Sequence, residues 1–328
     1  MATIFKKIQM FENITKLTSR QFLQFSVRNY RHRRALMYVP GSDERKINKI
    51  ASLNADCVAL DCEDGVALNK KDEARDIIRK KLEHIIPTAN GDIGVRVNSI
   101  ESGLCEKDLE VCLSGTHLPH TVLLPKVENS DHLKWFSDRI NKFIKTDQKV
   151  NLIIYIESAK AFINLSDICK TAFTLSECNK FTPTSLVFGS DDFCASIGAT
   201  RTEDSTEILY ARQKLVLCAK AFHLQAIDMV YIKYKDLEGL KRQCEEGMRM
   251  GYTGKQVIHP NQIETVQESF LPALATVEWA KGLLDAFEEH QATGKGAFNY
   301  RGSMIDMPTM KQAKNIIDIV KPVKKKST

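Results

Sequence analysis

The 328-residue sequence lacks several patterns that would assign it to common protein classes. It has no uninterrupted apolar run of membrane-spanning length, which argues against a membrane partner. Its nine cysteines form no CxxC pair, so a zinc knuckle and a disulfide framework are disfavoured and a reducing compartment is favoured. No GxGxxG or Walker motif follows the first predicted strand, which argues against a nucleotide-binding doubly wound sheet.

Basic charge is concentrated at the amino terminus. Residues 1–34 contain eight Lys or Arg and one acid, Glu12, and subtracting this +7 from the total of +6 leaves −1 for the rest of the chain. The charge therefore predicts a leader rather than a nucleic-acid-binding surface. Residues 1–33 are rich in Arg, poor in acids and without an apolar signal-peptide core, which is typical of a mitochondrial transit peptide. A disordered basic arm of a cytosolic protein is the alternative.

From Ala35 onward, short apolar strands alternate with helical segments eight times. This alternation predicts a parallel sheet, and a closed (β/α)8 TIM barrel over residues 34–275 is the economical arrangement, with an open doubly wound sheet as the competitor. Residues 276–328 predict a C-terminal helical extension, in which the Gly-rich segment from Gly294 to Met307 is unsuited to a core. Such an extension can reach over a barrel mouth, its own or a neighbour's.

Carboxylates follow two consecutive predicted strands. The fifth strand ends at Glu157, and the sixth ends at Gly189, shortly before Asp191 and Asp192. If these strands are neighbours in a parallel barrel, Glu157 and Asp192 converge at its carboxyl end, where barrel active sites lie. Two carboxylates without a His or Cys cluster favour Mg2+ or Mn2+ over zinc. The alternative is that each acid only caps the helix that follows it.

Two basic residues follow the third and fourth strands. Arg96 can bind a substrate carboxylate in bidentate fashion, or it can simply neutralise Glu63 or Asp64. Lys126 could form a Schiff base, but nearby acids should keep the pKa of its amine high, which favours an ion pair instead. Together with a metal ion, these groups indicate metal-assisted enolate chemistry during the cleavage of a carbon–carbon bond.

Two further residues are weaker candidates. Asp306 lies between apolar residues in the Gly-rich segment, and a carboxylate on a movable flap could act as a general acid or base with a raised pKa. His259 precedes Pro260, which indicates a helix start or a contact to phosphate, with a packed imidazole as the alternative.

Five motifs and the residues around them resemble the HpcH/HpaI aldolase and citrate lyase beta-subunit superfamily. The similarity runs from about Arg34 to the end of the chain. The motifs are Met37-Tyr38-Val39-Pro40-Gly41-Ser42, Leu60-Asp61-Cys62-Glu63-Asp64-Gly65-Val66, Val95-Arg96-Val97-Asn98, Leu124-Pro125-Lys126 and Phe188-Gly189-Ser190-Asp191-Asp192.

The resemblance implies a Mg2+-dependent carbon–carbon lyase that cleaves (3S)-citramalyl-CoA to pyruvate and acetyl-CoA. Malate or methylmalate synthase and malyl-CoA thioesterase are the implied side activities. A citryl or malyl thioester lyase of the citrate lyase beta-subunit type is an alternative, and so is a catalytically silent CoA-binding subunit. The implied location is the mitochondrial matrix.

The resemblance also implies roles for individual residues. Glu157 and Asp192 would hold the metal, and Arg96 would contact the acyl end of the substrate. Asp306 would be the catalytic acid or base, acting at the mouth of a neighbouring subunit in a homotrimer. The CoA-binding residues would be Tyr38, Arg45, Lys49, Ile258 and His259. Arg45 departs from the family pattern, which has Lys there, and Ser190-Asp191 stands where the family has Gly-Glu.

Overall fold

The structure is a computed structural model and describes residues 32–85, 91–291 and 298–320. In this part of the chain, eight parallel strands close into a barrel in chain order, with the eighth strand hydrogen-bonded to the first. The closed sheet confirms the predicted (β/α)8 TIM barrel and excludes the open doubly wound sheet. Most of the predicted leader, residues 1–31, lies outside the described residues.

The barrel strands are short, and each is followed by at least one helical segment. Strands β1 to β8 are Ala35–Pro40, Cys57–Asp61, Asp92–Arg96, Thr121–Leu124, Val150–Ile156, Phe181–Phe188, Gln225–Asp228 and Gly254–Val257. Helices α1 to α10 are Glu44–Ile47, Lys71–Ile85, Cys105–Cys112, Ser130–Phe143, Ala159–Ile163, Leu165–Cys178, Ser190–Ile197, Leu209–Ala221, Leu237–Met250 and Ile263–Ser269. No helix in the described ranges has both the length and the hydropathy needed to cross a membrane.

Apolar side chains fill two layers. Inside the barrel, Leu36, Ile153, Tyr155 and Val187 belong to a compact cluster, while a larger cluster lies between the strands and the surrounding helices. Alternate residues of each strand face these two layers, because successive side chains of a strand point to opposite faces. This explains why the strands read as nearly continuous apolar runs.

A bulge between β5 and β6 aligns the strand ends that carry the predicted metal ligands. Leu152 pairs with Pro183 but Ile153 pairs with Ser185, so Thr184 is an extra residue in β6. Proline is tolerated at such an irregularity because no ladder hydrogen bond is required of its nitrogen. After the bulge, Ile156 lies opposite Phe188, and the next residue of each strand therefore enters the mouth of the barrel.

The amino-terminal end of the barrel is closed by Arg33. Its side chain is 2% exposed and forms an ion pair with Asp92 at 2.6 Å. Its guanidinium also lies 3.5 Å from the hydroxyls of Thr121 and Ser185, and its backbone N–H donates to Gln225. Arg33, the last residue of the predicted leader, therefore packs with the strands of the barrel.

The extension contains a hairpin that the sequence analysis did not predict. Helices α11 (Leu274–Gln291) and α12 (Met307–Val320) flank two antiparallel strands, β9 (Phe298–Tyr300) and β10 (Ser303–Ile305). Arg301 and Gly302 both have positive φ, as a two-residue primed turn requires. The expectation that this segment contributes nothing to a core is wrong, because Ile305 is 2% exposed within the apolar cluster of the extension.

Candidate active site

One pocket of about 670 Å³ opens at the carboxyl ends of the barrel strands. This volume lies in the range of small-molecule sites, and this end of a TIM barrel carries the active site in essentially every characterised case. Seven of the nine predicted site residues line it: Tyr38, Lys49, Arg96, Glu157, Asp192, Ile258 and His259.

Glu157 follows the last residue of β5 and is 7% exposed. Its Oε1 accepts a hydrogen bond from the backbone N–H of Lys126 at 2.8 Å. The pKa of Glu157 is raised to about 8, chiefly by burial and in addition by the charges of Glu63 and Asp192. A Cβ at position 189 would lie 2.6 Å from the Glu157 Cβ and even closer to its Oε2, so only glycine leaves room for this carboxylate.

Asp191 and Asp192 lie in the first turn of α7, and the structure distinguishes between them. Asp191 forms an ion pair with Arg201 at 2.7 Å, whereas Asp192 lies 3.6 Å from Lys126 Nζ. The helix-capping alternative is wrong for both predicted ligands. Ser158 caps the helix after Glu157, and the residue preceding α7 is Gly189, which provides no side-chain cap.

Lys126 forms ion pairs with two acids of the pocket region, Glu63 and Asp192. Its Nζ lies 3.3 Å from Glu63 Oε1 and 3.6 Å from Asp192 Oδ1. Burial alone would lower the pKa of the Lys126 ammonium, but Glu63, Asp192, Asp64 and Glu157 outweigh it and raise the pKa. A Schiff base requires a neutral amine, so the surroundings of Lys126 favour the predicted ion-pair role.

Arg96 extends from the end of β3 across the pocket floor. Its Nε and Nη2 donate to the two carboxylate oxygens of Asp61, each at 2.7 Å, and its Nη1 lies 3.0 Å from Glu63. Its Cζ lies 4.6 Å from the centre of the Tyr38 ring, in a cation–π contact. Arg96 thus neutralises Glu63 and Asp64, the alternative to substrate binding, and it also lines the pocket, where a substrate could reach it.

The donor set of the pocket suits a hard divalent cation. Oxygen ligands are supplied by Glu157 and Asp192, and Oε1 of the buried Glu63 has no aligned hydrogen-bond donor although Lys126 lies nearby. The pKa of Glu63 is raised to about 7, because burial and the charges of Asp64 and Asp61 outweigh the opposing charges of Arg96 and Lys126. No three His, Cys, Asp or Glu side chains of the described residues form a complete metal site. Two carboxylates would leave Mg2+ positions for water and substrate.

The predicted CoA-binding residues are only partly brought together. Lys49, Ile258 and His259 lie on one side of the pocket, and Nδ1 of His259 accepts from the backbone N–H of Asn261 at the start of a short helical turn. Arg45 is exposed and is not a lining residue, whereas its neighbour Lys46 is. Helix α1 has only four residues, and the sequence alone could not tell which side faces the pocket.

Asp306 lies away from the pocket of its own chain. It is exposed, and its Oδ1 accepts hydrogen bonds from the backbone N–H of Thr309 at 3.0 Å and from the Thr309 hydroxyl at 2.7 Å. These bonds lower the pKa of Asp306, which is opposite to the raised pKa expected for a dry site. Within a single chain, Asp306 therefore caps the amino-terminal end of α12.

Two polar residues of the site were not singled out from the sequence. Tyr155 and Gln256 line the pocket from inside the barrel, and their strand positions, alternating with outward-facing residues, are the signal that could have found them. Lys71 is 9% exposed and donates at 2.7 Å to the backbone carbonyls of Cys62 and Glu63 and to Asn98. It thereby holds the loop that follows β2.

The sequence has extensive similarity to proteins of known activity. Mitochondrial citramalyl-CoA lyase of Homo sapiens is 51% identical over 305 residues, which cover 90% of this chain and 88% of that protein. A (3S)-malyl-CoA thioesterase of Cereibacter sphaeroides is 31% identical, covering 83% of this chain and 89% of that protein.

The fold is shared with solved structures. CitE from Mycobacterium tuberculosis, in complex with magnesium, acetoacetate and coenzyme A, has a TM-score of 0.68 and 25% identity, covering 88% of this chain and 98% of that chain. The sequence model of the HpcH/HpaI aldolase/citrate lyase family matches residues 34–260, which include all eight barrel strands. The chain therefore belongs to the HpcH/HpaI aldolase/citrate lyase family.

Proposed function

We propose that this chain is a Mg2+-dependent carbon–carbon lyase that cleaves (3S)-citramalyl-CoA to pyruvate and acetyl-CoA. The observation that carries the proposal is the convergence of Glu157, Asp192 and Arg96 on one strand-end pocket. The 51% identity to the human citramalyl-CoA lyase supports the choice of substrate. The 31% identity to a malyl-CoA thioesterase supports thioester hydrolysis as a side activity, and malate or methylmalate synthesis would be the condensing counterpart.

In this proposal Glu157 and Asp192 hold Mg2+, which the CitE complex with magnesium supports for the family. When bound, the ion supplies an electrophile that polarises substrate oxygens and stabilises negative charge during bond cleavage. Gly189 leaves the space for Glu157, and Lys126 offsets the charge of the carboxylates. Arg96, fixed by Asp61, binds the carboxylate at the acyl end of the substrate.

Asp306 completes the chemistry as a proton donor and acceptor. In the cleavage direction the substrate hydroxyl loses its proton, the carbon–carbon bond breaks to give pyruvate and the acetyl-CoA enolate, and Asp306 gives one proton to the enolate carbon, so that no net proton is consumed. In the condensing direction Asp306 removes a proton from the thioester methyl group. Because Asp306 is exposed and does not line the pocket of its own chain, it acts in this proposal at the mouth of a neighbouring copy in a homotrimer.

The CoA part of the substrate would bind to a further group of residues. Lys49 and Arg45 carry positive charge for the CoA phosphates, and Tyr38, Ile258 and His259 would contact the remainder of the cofactor. The relatives named as mitochondrial support a mitochondrial location, for which the matrix is the proposed compartment and residues 1–33 the proposed transit peptide.

The decisive test compares the release of pyruvate from citramalyl-CoA, of glyoxylate from malyl-CoA and of oxaloacetate from citryl-CoA. We expect citramalyl-CoA to be the preferred substrate, with loss of activity in excess EDTA and recovery on adding Mg2+. A preference for citryl-CoA would favour the citrate lyase alternative, and CoA binding without turnover of any thioester would favour a silent subunit. EDTA-resistant activity that borohydride abolishes by trapping Lys126 would instead establish Schiff-base chemistry.

A further inference from the structure

A chain of three side chains, Tyr155, Tyr38 and Gln256, crosses the floor of the pocket inside the barrel, and Tyr38 is only partly buried. The hydroxyl of Tyr38 lies 2.7 Å from the hydroxyl of Tyr155 and 2.7 Å from Oε1 of Gln256. Tyr155 and Gln256 are 1% and 6% exposed. The three residues come from β5, β1 and β8, so the chain forms only because the barrel closes.

The direction of the hydrogen bonds is fixed at one end. The side-chain Nε2 of Gln256 donates to the backbone carbonyls of Phe188 at 2.9 Å and of Asp228 at 3.0 Å. Both amide protons are therefore used, and Oε1 can only accept. Tyr38 must donate to Gln256, and since a phenol has one proton, Tyr155 must donate to Tyr38.

Both phenols keep the protons that this direction requires. Burial raises the pKa of Tyr38 and of Tyr155, although the positive charge of Arg96 opposes the shift. Two consecutive bonds of 2.7 Å, ending on an amide anchored to two backbone carbonyls, leave the Tyr38 ring one orientation.

The ring held in this way is one of the supports of Arg96. The guanidinium lies with its Cζ 4.6 Å from the ring centre, and Asp61 binds two of its nitrogens from the side. Asp61 fixes the plane of the guanidinium, and the Tyr38 ring limits its movement toward the barrel interior.

We propose that Gln256 is a positioning residue for the lyase reaction, which orients Tyr38 and, through its ring, the Arg96 guanidinium toward the acyl end of the substrate. The inference rests on the proposed function and extends it to Gln256, which acts on Arg96 only through the Tyr38 ring. It predicts that Gln256 affects the handling of the acyl group and leaves the affinity for CoA itself intact.

The test compares Gln256→Leu, Tyr38→Phe and the double variant, using whichever of the three thioesters the wild-type protein cleaves. We expect kcat/KM to fall about tenfold in each single variant, the order expected for one buried hydrogen bond. Since both changes break the same connection, the double variant should lose about as much as one single variant. In Gln256→Leu, which keeps every proposed CoA contact, the dissociation constant for free CoA should change less than about twofold, a split that general loosening of the fold would not produce.

Gln225→Leu is the matched control, because Gln225 is also a buried glutamine of the barrel whose Oε1 accepts a hydrogen bond, from the Arg33 backbone, at the opposite end. It should lower the melting temperature without altering kcat/KM.

Wild-type kcat/KM in Gln256→Leu, or losses that multiply to about a hundredfold in the double variant, would overturn the inference. If Gln256→Leu does not fold, the inference is tested with Tyr38→Phe alone, and an unchanged kcat/KM in that variant overturns the inference. A wild-type protein that cleaves none of the thioesters refutes the proposed function and this inference with it.

Discussion

Gly189 is the residue on which the position of Glu157 depends most directly. Replacing it by alanine would place a methyl group 2.6 Å from the Glu157 Cβ, so the carboxylate has to move. We predict that Gly189→Ala raises the Mg2+ concentration needed for half-maximal activity by at least about tenfold, as expected when the geometry of a metal site is disturbed. Activity measured against Mg2+ concentration checks this.

Gly198→Ala is a suitable control for that experiment. Gly198 ends the same helix, α7, and nothing lies within 4 Å of an added Cβ there, but its positive φ makes alanine strained. The variant should lose about 1 kcal/mol of stability and keep the Mg2+ dependence of the wild type. Equal Mg2+ dependence in both variants would mean that Gly189 does not shape the metal site.

At the scale of residues, the sequence predicted which positions lie at the pocket better than it predicted the contacts of their side chains. Glu157 and Asp192 could be located because each follows the end of an apolar strand. Asp192 rather than Asp191 was predicted as the metal ligand, and the contact that occupies Asp191 comes from Arg201, nine residues after Asp192. The contact between Tyr38 and Gln256 spans 218 residues and depends on barrel closure, so strand patterns alone do not reveal it.

At the scale of elements, the segment that enters β1 is held by a buried ion pair between Arg33 and Asp92. Burial alone would raise the pKa of Asp92, but the Arg33 charge and the Thr121 hydroxyl lower it below its usual value. The pair therefore stabilises the fold fully above the unfolded-state pKa of about 3.9, and this contribution is lost as the pH falls through the lower folded-state pKa.

We predict that Asp92→Asn lowers the free energy of unfolding by about 3–5 kcal/mol at pH 7, because Arg33 is left as an unpaired buried charge. The difference from wild type should shrink only below about pH 4, where Asp92 itself becomes protonated. Urea unfolding between pH 3 and pH 7 measures the loss of stability at pH 7 and its decrease at low pH.

Asp56→Asn, which breaks the more exposed pair with Arg34, is the control and should cost about 1 kcal/mol. Equal costs for the two variants would contradict the role assigned to Arg33.

Elements were predicted well wherever apolar runs coincide with strands, and the exceptions have physical causes. The apolar run from Ala226 to Ile232 predicts a seventh strand of that length, but the strand ends at Asp228. Met229 and Tyr231 are buried in the loop that follows, so they imitate a strand in sequence. The hairpin of the extension was missed because its signal is only a turn, Arg301-Gly302, between strands of three residues.

At the scale of the whole molecule, the extension has a core of its own. Ile305, Met310 and Ala313 pack against α11, while Met304 and Met307 on either side of Asp306 are 82% and 53% exposed. An exposed acid between exposed apolar side chains is suited to contact another surface. If that surface is the mouth of a second copy, each active site combines residues of two chains.

This arrangement predicts complementation between two inactive variants. Asp306→Ala retains an intact mouth and Glu157→Ala retains an intact extension, so neither should be active as a pure oligomer. When equal amounts are unfolded and refolded together, random assembly pairs an intact mouth with an intact extension at one site in four, and we expect about a quarter of wild-type activity. Asp306→Ala refolded with the Asp306→Ala/Glu157→Ala double variant is the control and should stay inactive. Mixed oligomers, identified by mass, that regain no activity would show that Asp306 does not act between chains, because every other part of such a site is present in them.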